Sequence, residues 1–162
     1  MSEDGVDPVL TSQVEALLAD LPLPPSTGLQ DAHRILIGSE YVREALARDD
    51  VLRASFAEEA TWLVDPEQLD ASLTGALENA QGDEAVIMRE LRVVRRRMLC
   101  AIAWRDLSGL ASVERTLSEL SVVADALIEA ALRAAENTEQ ARAGVPRRAD
   151  GTQQRLVVLG LG

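Results

Sequence analysis

Residues 84–106 decide the fold class, and they read Glu-Ala-Val-Ile-Met-Arg-Glu-Leu-Arg-Val-Val-Arg-Arg-Arg-Met-Leu-Cys-Ala-Ile-Ala-Trp-Arg-Asp. Apolar side chains recur there every three or four residues, which places them on one face of an α-helix. The segment therefore predicts a long amphipathic helix that packs on other helices. Its apolar stripe consists of Met88, Leu91, Val94, Met98 and Ile102.

Helical spacing extends from this segment towards both ends of the chain. Further helices are predicted over 8–21, 30–37 and 40–48, across Leu52–Leu63, from residue 66 to the turn at 81–83, and from about 112 to 144. Ser39 and the pairs Asp7-Pro8 and Asp65-Pro66 are helix-start signals, while the proline-rich stretch 21–28 interrupts the pattern. The last predicted helix carries Leu117, Leu120, Ala124, Leu127, Ile128 and Ala131 at helical spacing.

The final eight residues change character. Residues 155–159, Arg-Leu-Val-Val-Leu, predict a short buried β-strand, and the following Gly160-Leu-Gly162 predicts a glycine-rich turn. A single strand has no neighbour for its N–H and C=O groups. We therefore expect this strand to be the first of an α/β domain that is truncated at residue 162.

These patterns predict a mainly α fold, a bundle of about six to eight helices followed by one C-terminal strand. The predicted domains are residues 1–29 with an N-terminal helix and proline-rich linker, residues 30–146 as the helical domain, and residues 147–162 as the loop and strand.

Composition restricts the possible partners and compartment. The chain has 162 residues and a net charge of −11, which makes nucleic acid an unfavourable partner. Only one cysteine, Cys100, is present, so no intrachain disulfide can form, as is usual in a reducing cytoplasm. No stretch reaches the ~20 apolar residues of a membrane span, and the acidic N-terminus is unlike a secretory signal. We expect a cytoplasmic protein that does not bind membranes.

A basic segment reverses this charge locally. Arg89, Arg92, Arg95, Arg96 and Arg97 lie close together, with Glu90 as the one acid among them. Two interpretations are open: acidic side chains of the same domain pair with these arginines, or the arginines contact a partner protein or a phosphate.

The segment Trp104-Arg105-Asp106 follows directly. The indole can stack on a guanidinium and Arg105 can pair with an acid, or the segment is simply a helix end packed on the bundle. The candidate partner-facing residues are Arg89, Arg92, Arg96 and Arg105.

No catalytic, cofactor-binding or metal-binding residue is predicted in this chain. His33 is the only histidine and has no cysteine or histidine at ligand spacing. Cys100 lies in an apolar stretch, which favours a buried thiol over a nucleophile. The Gly160-Leu-Gly162 sequence is too short to be a dinucleotide fingerprint, and no phosphate-binding lysine motif is present.

Several segments together resemble a known family. They occur in order as residues 88–98, residues 102–107, Leu-Ser-x-x-Ala-Asp at 120–125, Gly-x-Pro at 144–146, Asp-Gly at 150–151 and residues 156–160, with a weaker match at 39–43. The set resembles the N-terminal part of the bifunctional glutamine synthetase adenylyltransferase/adenylyl-removing enzymes. Ala101 stands where that family usually has an arginine, and Leu161 replaces a common methionine.

The resemblance implies a function for the parent enzyme. Such enzymes use Mg and ATP to add AMP to a tyrosine of glutamine synthetase, and their N-terminal half removes it by phosphorolysis under control of a PII-type signalling protein. In the family the strand leads into a Ser-Ser-Asp-x-Asp segment whose aspartates hold the metals of a nucleotidyltransferase site, and residues 1–162 contain no such segment. We expect a truncated part of the adenylyl-removing half that is inactive alone; the alternative is a non-enzymatic helical interaction module.

Overall fold

Eight α-helices form most of the part of the chain that is described by a computed structural model, residues 7–59 and 63–158. The predicted mainly α fold is therefore confirmed. The helices are α1 (Pro8–Asp20), α2 (Leu29–Gly38), α3 (Glu40–Arg48), α4 (Asp50–Ala54), α5 (Phe56–Glu59), α6 (Pro66–Ala80), α7 (Glu84–Leu107) and α8 (Val113–Ala143).

The described residues divide into two compact units. The first contains α1–α5 and residues 96–120, and the second contains residues 64–95 and 121–158. Residues of α1 belong to the same core as those of α2 and α3. The predicted division into 1–29, 30–146 and 147–162 remains a prediction.

The core of the first unit is centred on Trp104, whose side chain is fully buried. Phe56 meets the indole edge to face, with ring centroids 4.8 Å apart and an interplanar angle of 86°. The indole Nε1–H donates a hydrogen bond of 3.2 Å to Oγ1 of Thr27, which is also buried. The proline-rich stretch thus supplies the acceptor that a buried indole needs. The fully buried aliphatic residues around this pair are Val14, Leu36, Val42, Leu46 and Leu52.

Two helix junctions in this unit have the same local geometry. Ser39 joins α2 to α3 with φ −122° and ψ 99°, and Asp49 joins α3 to α4 with φ −125° and ψ 93°. Each side chain caps the next helix by accepting a hydrogen bond from the amide three residues later, Val42 or Leu52. At each junction one extended residue redirects the chain, and its side chain binds an amide in the first turn of the helix that follows.

An arginine completes each junction from the other side. Arg43 donates to the carbonyl oxygen of Leu36 at 2.7 Å, and Arg53 donates to that of Leu46 at 3.0 Å. Both carbonyls lie in the last turn of a helix, where no intrahelical amide is available. The two junctions repeat at an interval of ten residues.

The second unit is built on α6, the first half of α7 and the later part of α8. Asp65 caps α6 by accepting from two amides, and Gln81 ends it in the left-handed conformation with φ 50°. Arg133 of α8 donates to the Asp70 carboxylate of α6 at 2.6 Å. The buried apolar residues of this unit include Leu69, Leu73, Ile87, Leu91, Val123 and Ala130.

Two helix predictions need correction. The helix expected across Leu52–Leu63 is interrupted at Ser55, whose amide and hydroxyl both donate to the carbonyl of Val51; residues 60–62 lie outside the described part. On α8 the apolar pattern is displaced, since Leu117, Ala124, Ile128 and Ala131 are exposed. The buried positions are Glu119, Val123 and Ala130.

The expected C-terminal strand is not formed over residues 155–158. Leu156 and Val157 are 66% and 73% exposed, and the described residues contain only an isolated bridge between Arg147 and Gln153. No neighbouring strand is available within the described part of the chain to pair with this segment. Leu159 and the Gly160-Leu-Gly162 turn lie outside the described residues.

Candidate partner-binding surface

Asp49 forms ion pairs with two of the five arginines of the basic segment, Arg96 and Arg97. These three residues are called the Asp49 cluster. Arg97 donates to both carboxylate oxygens at 3.0 Å, and Arg96 donates to Oδ2 at 3.1 Å. The Asp49 side chain is only 5% exposed, and Oδ1 also accepts from the Leu52 amide. One buried carboxylate therefore caps α4 and binds the neighbouring part of α7.

Electrostatics at Asp49 favour the ionised carboxylate. Burial alone would raise the pKa of Asp49, but the hydrogen bonds from Arg97, the Leu52 amide and Arg96 outweigh it and hold that pKa well below the ordinary value. The Asp49 carboxylate is therefore ionised in the folded protein and pairs with both arginines as an anion.

Arg105 belongs to a second buried cluster, with Glu119 and Arg115. The side chains of Arg105 and Glu119 are 4% and 7% exposed, and both terminal nitrogens of the guanidinium donate to the carboxylate. Arg115, one helical turn before Glu119, donates to Oε1 at 3.0 Å from a half-exposed position. Burial would raise the pKa of Glu119, but the hydrogen bonds from Arg105 and Arg115 lower it.

The four predicted partner-facing arginines therefore lie in different environments. Arg105 is buried in the first unit, and Arg96 is bound to Asp49. Arg89 is exposed and pairs with the adjacent Glu90 at 2.9 Å. Arg92 is exposed, and within the described part of the chain it has neither a hydrogen bond nor an ion pair. For Arg96 and Arg105 the contacts favour pairing within the domain over contact with a partner.

Arg95 was not among the predicted residues but shares the environment of Arg92. It is exposed, and no described residue accepts a hydrogen bond from its guanidinium. Every other arginine in the eight described helices donates to a carboxylate or a carbonyl oxygen. The sequence could not single out Arg95, because the carboxylate that binds Arg96 and Arg97 lies 47 and 48 residues away.

A groove of about 200 Å³ lies beside these arginines in the second unit. Its apolar lining comes from Met88 and Leu91 of α7 and from alanines of α8, including Ala131. Met88, predicted as part of the apolar stripe of α7, is 42% exposed at this groove. One turn of helix separates Met88 from Arg92, so an apolar recess and a free cation are neighbours on one face.

Cys100 and His33, the other two residues considered in the sequence analysis, lie among the packed side chains of the first unit. Cys100 is fully buried in the first core, and His33 is half-buried beside Leu29 and Glu15. Among the described residues, no group of three or more His, Cys, Asp or Glu side chains is placed to hold a metal ion. Within the same ranges, no helix has the length and apolar character needed to cross a membrane.

Comparison with known proteins gives the family. A family model described as glutamate-ammonia ligase adenylyltransferase matches residues 29–162. The chain belongs to this family. It is 36% identical over 131 residues to a bifunctional glutamine synthetase adenylyltransferase/adenylyl-removing enzyme of Thioalkalivibrio sulfidiphilus, covering 80% of this chain. It is 35% identical over 150 residues to the enzyme of the same name from Pseudomonas aeruginosa, covering 91% of this chain.

The match covers a small part of these adenylyltransferases. The aligned region is 13% of the Thioalkalivibrio enzyme and 15% of the Pseudomonas enzyme. No solved structure matches the chain. The α7 segment, both arginine–carboxylate clusters and the groove all lie within the residues that the family model matches.

Proposed function

We propose that this chain acts as a helical part of an enzyme that adds AMP to, or removes it from, glutamine synthetase. The observation that carries the proposal is the family match over residues 29–162, together with relatives named for both activities. The resemblance of segments between residues 88 and 160 to the N-terminal, adenylyl-removing half of that family favours the removing reaction.

The proposed role of the helical part is to bind and position glutamine synthetase. Two arginine–carboxylate clusters around the buried carboxylates of Asp49 and Glu119, together with the Trp104 core, fix the side-chain geometry of the first unit. A rigid helical scaffold suits the task of holding a large protein substrate, since orientation contributes much of the rate of a transfer reaction. The exposed arginines Arg92 and Arg95 offer a surface for that contact.

The transfer chemistry is proposed to need residues beyond this chain. In the family the metal-binding aspartates belong to a Ser-Ser-Asp-x-Asp segment, and residues 1–162 contain no such sequence. Two carboxylates of that kind would hold Mg next to the phosphates of ATP or ADP. Residues 1–162 alone are therefore proposed to transfer no AMP, and a PII-type protein is proposed as a second partner of the complete enzyme in the cytoplasm.

Two measurements on the purified chain test this proposal. Its binding to immobilised glutamine synthetase should be saturable, and mixing it with adenylylated glutamine synthetase, phosphate and Mg should release no ADP. The full-length Pseudomonas enzyme serves as the positive control for ADP release. Release of ADP by the chain alone would contradict the proposal that AMP transfer needs residues beyond 1–162. Absence of binding would contradict the proposed positioning role.

A non-enzymatic interaction module remains the second candidate, because the unpaired arginines and the groove lie together on one exposed face. The two candidates differ in one result. A module with no part in AMP transfer would bind its partner without competing with the full-length enzyme for glutamine synthetase.

A further inference from the structure

We propose that the α7 docking surface, which consists of Arg92, Arg95 and the groove at Met88, binds an acidic segment of a partner protein that carries one apolar side chain. The inference rests on the proposed function for the identity of the partner, glutamine synthetase. The kind of segment that fits follows from the surface itself.

The charge argument starts from the two arginines. The chain has 27 acidic and 16 basic residues, so carboxylates are abundant, yet Arg92 and Arg95 contact none among the described residues. They lie three residues apart on one helix, and Arg89 is one turn before Arg92. Like charges at this spacing oppose each other. Carboxylates from a partner would relieve this repulsion and can each bind a guanidinium in a bidentate manner.

The groove gives the segment a second anchor. Met88 reaches into it and is partly exposed, and a flexible thioether adapts to different apolar side chains. Ala131 forms the opposite wall without filling the space. The recess is thus suited to one aliphatic side chain that enters beside the arginine pair.

The acidic residues of the groove fix the direction of the bound segment. Glu84 and Glu139 line the groove, and Glu84 lies two turns before Arg92 along α7. They repel carboxylates, so the acidic part of the segment must lie over Arg92 and Arg95 and its apolar part in the groove. A long polyphosphate is disfavoured by the net charge of −11.

The test measures binding of the full 162-residue chain to immobilised glutamine synthetase at low and at physiological ionic strength. The charge variant is R92E/R95E. Its control, R48E/R148E, makes the same charge change at two exposed arginines outside α7 and outside the groove. The groove variant is Ala131→Trp, and its control is Ala124→Trp on an exposed position of the same helix outside the groove.

We expect R92E/R95E to weaken binding about tenfold or more, chiefly through a slower association that depends less on salt. Ala131→Trp should weaken it similarly, and both controls should stay within about twofold, as near-neutral peripheral changes do. All four variants should retain the helical circular dichroism of the unaltered chain, because none removes a buried contact. If R92E/R95E binds like its control, the inference is wrong while the proposed function stands.

Two further probes separate the remaining outcomes. If the unaltered chain does not bind glutamine synthetase, the proposed positioning role is wrong. The docking surface is then tested separately, by comparing how strongly the unaltered chain and R92E/R95E bind polyglutamate at low salt. Equal retention of the unaltered chain and R92E/R95E on polyglutamate overturns the inference. Tighter binding to duplex DNA than to polyglutamate, lost in R92E/R95E, also overturns it, since the surface would then be a phosphate site.

Discussion

Arg97 donates two parallel hydrogen bonds to Asp49, a carboxylate that lies 48 residues earlier and caps the five-residue helix α4. This contact connects the middle of α7 to the junction between α3 and α4 within the first unit. A helix as short as α4 has little stability of its own. Arg96 and Arg97 therefore help to hold the junction, and Asp49 compensates their charges within the fold.

Asp49→Asn should destabilise the chain by about 2 kcal/mol, less than the cost of breaking a fully buried pair because Arg96 and Arg97 are partly exposed. Asparagine caps helices as well as aspartate does, so the substitution isolates the loss of the two ion pairs. Urea unfolding followed by circular dichroism measures the change. Asp50→Asn, at a largely exposed carboxylate, should change stability by less than about 0.5 kcal/mol; an equal loss in both variants would contradict the assigned role of Asp49.

Acid should unfold this chain through Asp49 and Glu119. Both have a folded-state pKa below the ordinary value, whereas unfolded Asp and Glu titrate near about 3.9 and 4.3. The unfolded state therefore binds more protons as the pH falls, and stability that is complete above about pH 5 is lost progressively below it. Unfolding free energies measured from pH 7 down to pH 2 should show this loss.

The substituted chains identify the groups responsible for that acid sensitivity. Asp49→Asn and Glu119→Gln lower stability at pH 7 but remove the corresponding proton uptake, so each should flatten the pH dependence. An unchanged slope in both Asp49→Asn and Glu119→Gln would show that other carboxylates control acid unfolding.

Arg105→Met should cost about 3 kcal/mol, because it leaves the buried Glu119 carboxylate with Arg115 alone. Arg115→Met removes a half-exposed partner and should cost less than about 1 kcal/mol. The double variant R105M/E119L should recover part of the stability lost in Arg105→Met, since no unpaired buried charge remains. Additive losses in the double variant would argue against a direct pair.

Arg43→Met tests the repeated helix junction. It removes the hydrogen bond to the Leu36 carbonyl in the last turn of α2 and should cost about 1 kcal/mol. Arg48→Met lies five residues later on the same helix, where the arginine forms only an exposed pair with Glu44, and should be nearly neutral. Thermal unfolding of the two variants side by side provides the comparison. Equal melting temperatures would show that the hydrogen bond from Arg43 to the Leu36 carbonyl does not stabilise the fold.

Most helix boundaries could be predicted because their signals are local, the break at Ser55 being an exception. Ser39 and Asp65 cap helices where the sequence indicates, and Gly144 follows α8 with φ +83°. The register of α8 could not be predicted in this way. Its buried face includes Glu119, and a pattern that treats acidic residues as solvent-facing assigns the burial to the wrong positions.

The candidate surface could be predicted only in part. The arginine cluster is evident in the sequence, but which arginines remain exposed depends on Asp49 and Glu119, whose contacts span 47 and 14 residues. Arg92 was predicted, whereas Arg95 and the role of Met88 followed only from the packing of α7 and α8 in the second unit. The strand expected at residues 155–159 depends on neighbours that residues 7–59 and 63–158 do not provide.

The proposed function requires this chain to present a surface that binds glutamine synthetase. The most direct measurement adds increasing amounts of the chain to the full-length Pseudomonas enzyme as it releases ADP from adenylylated glutamine synthetase in phosphate and Mg. We predict that the chain slows the reaction by occupying glutamine synthetase, that R92E/R95E slows it far less, and that R48E/R148E acts like the unaltered chain. An unchanged rate at saturating amounts of the chain would contradict the claim.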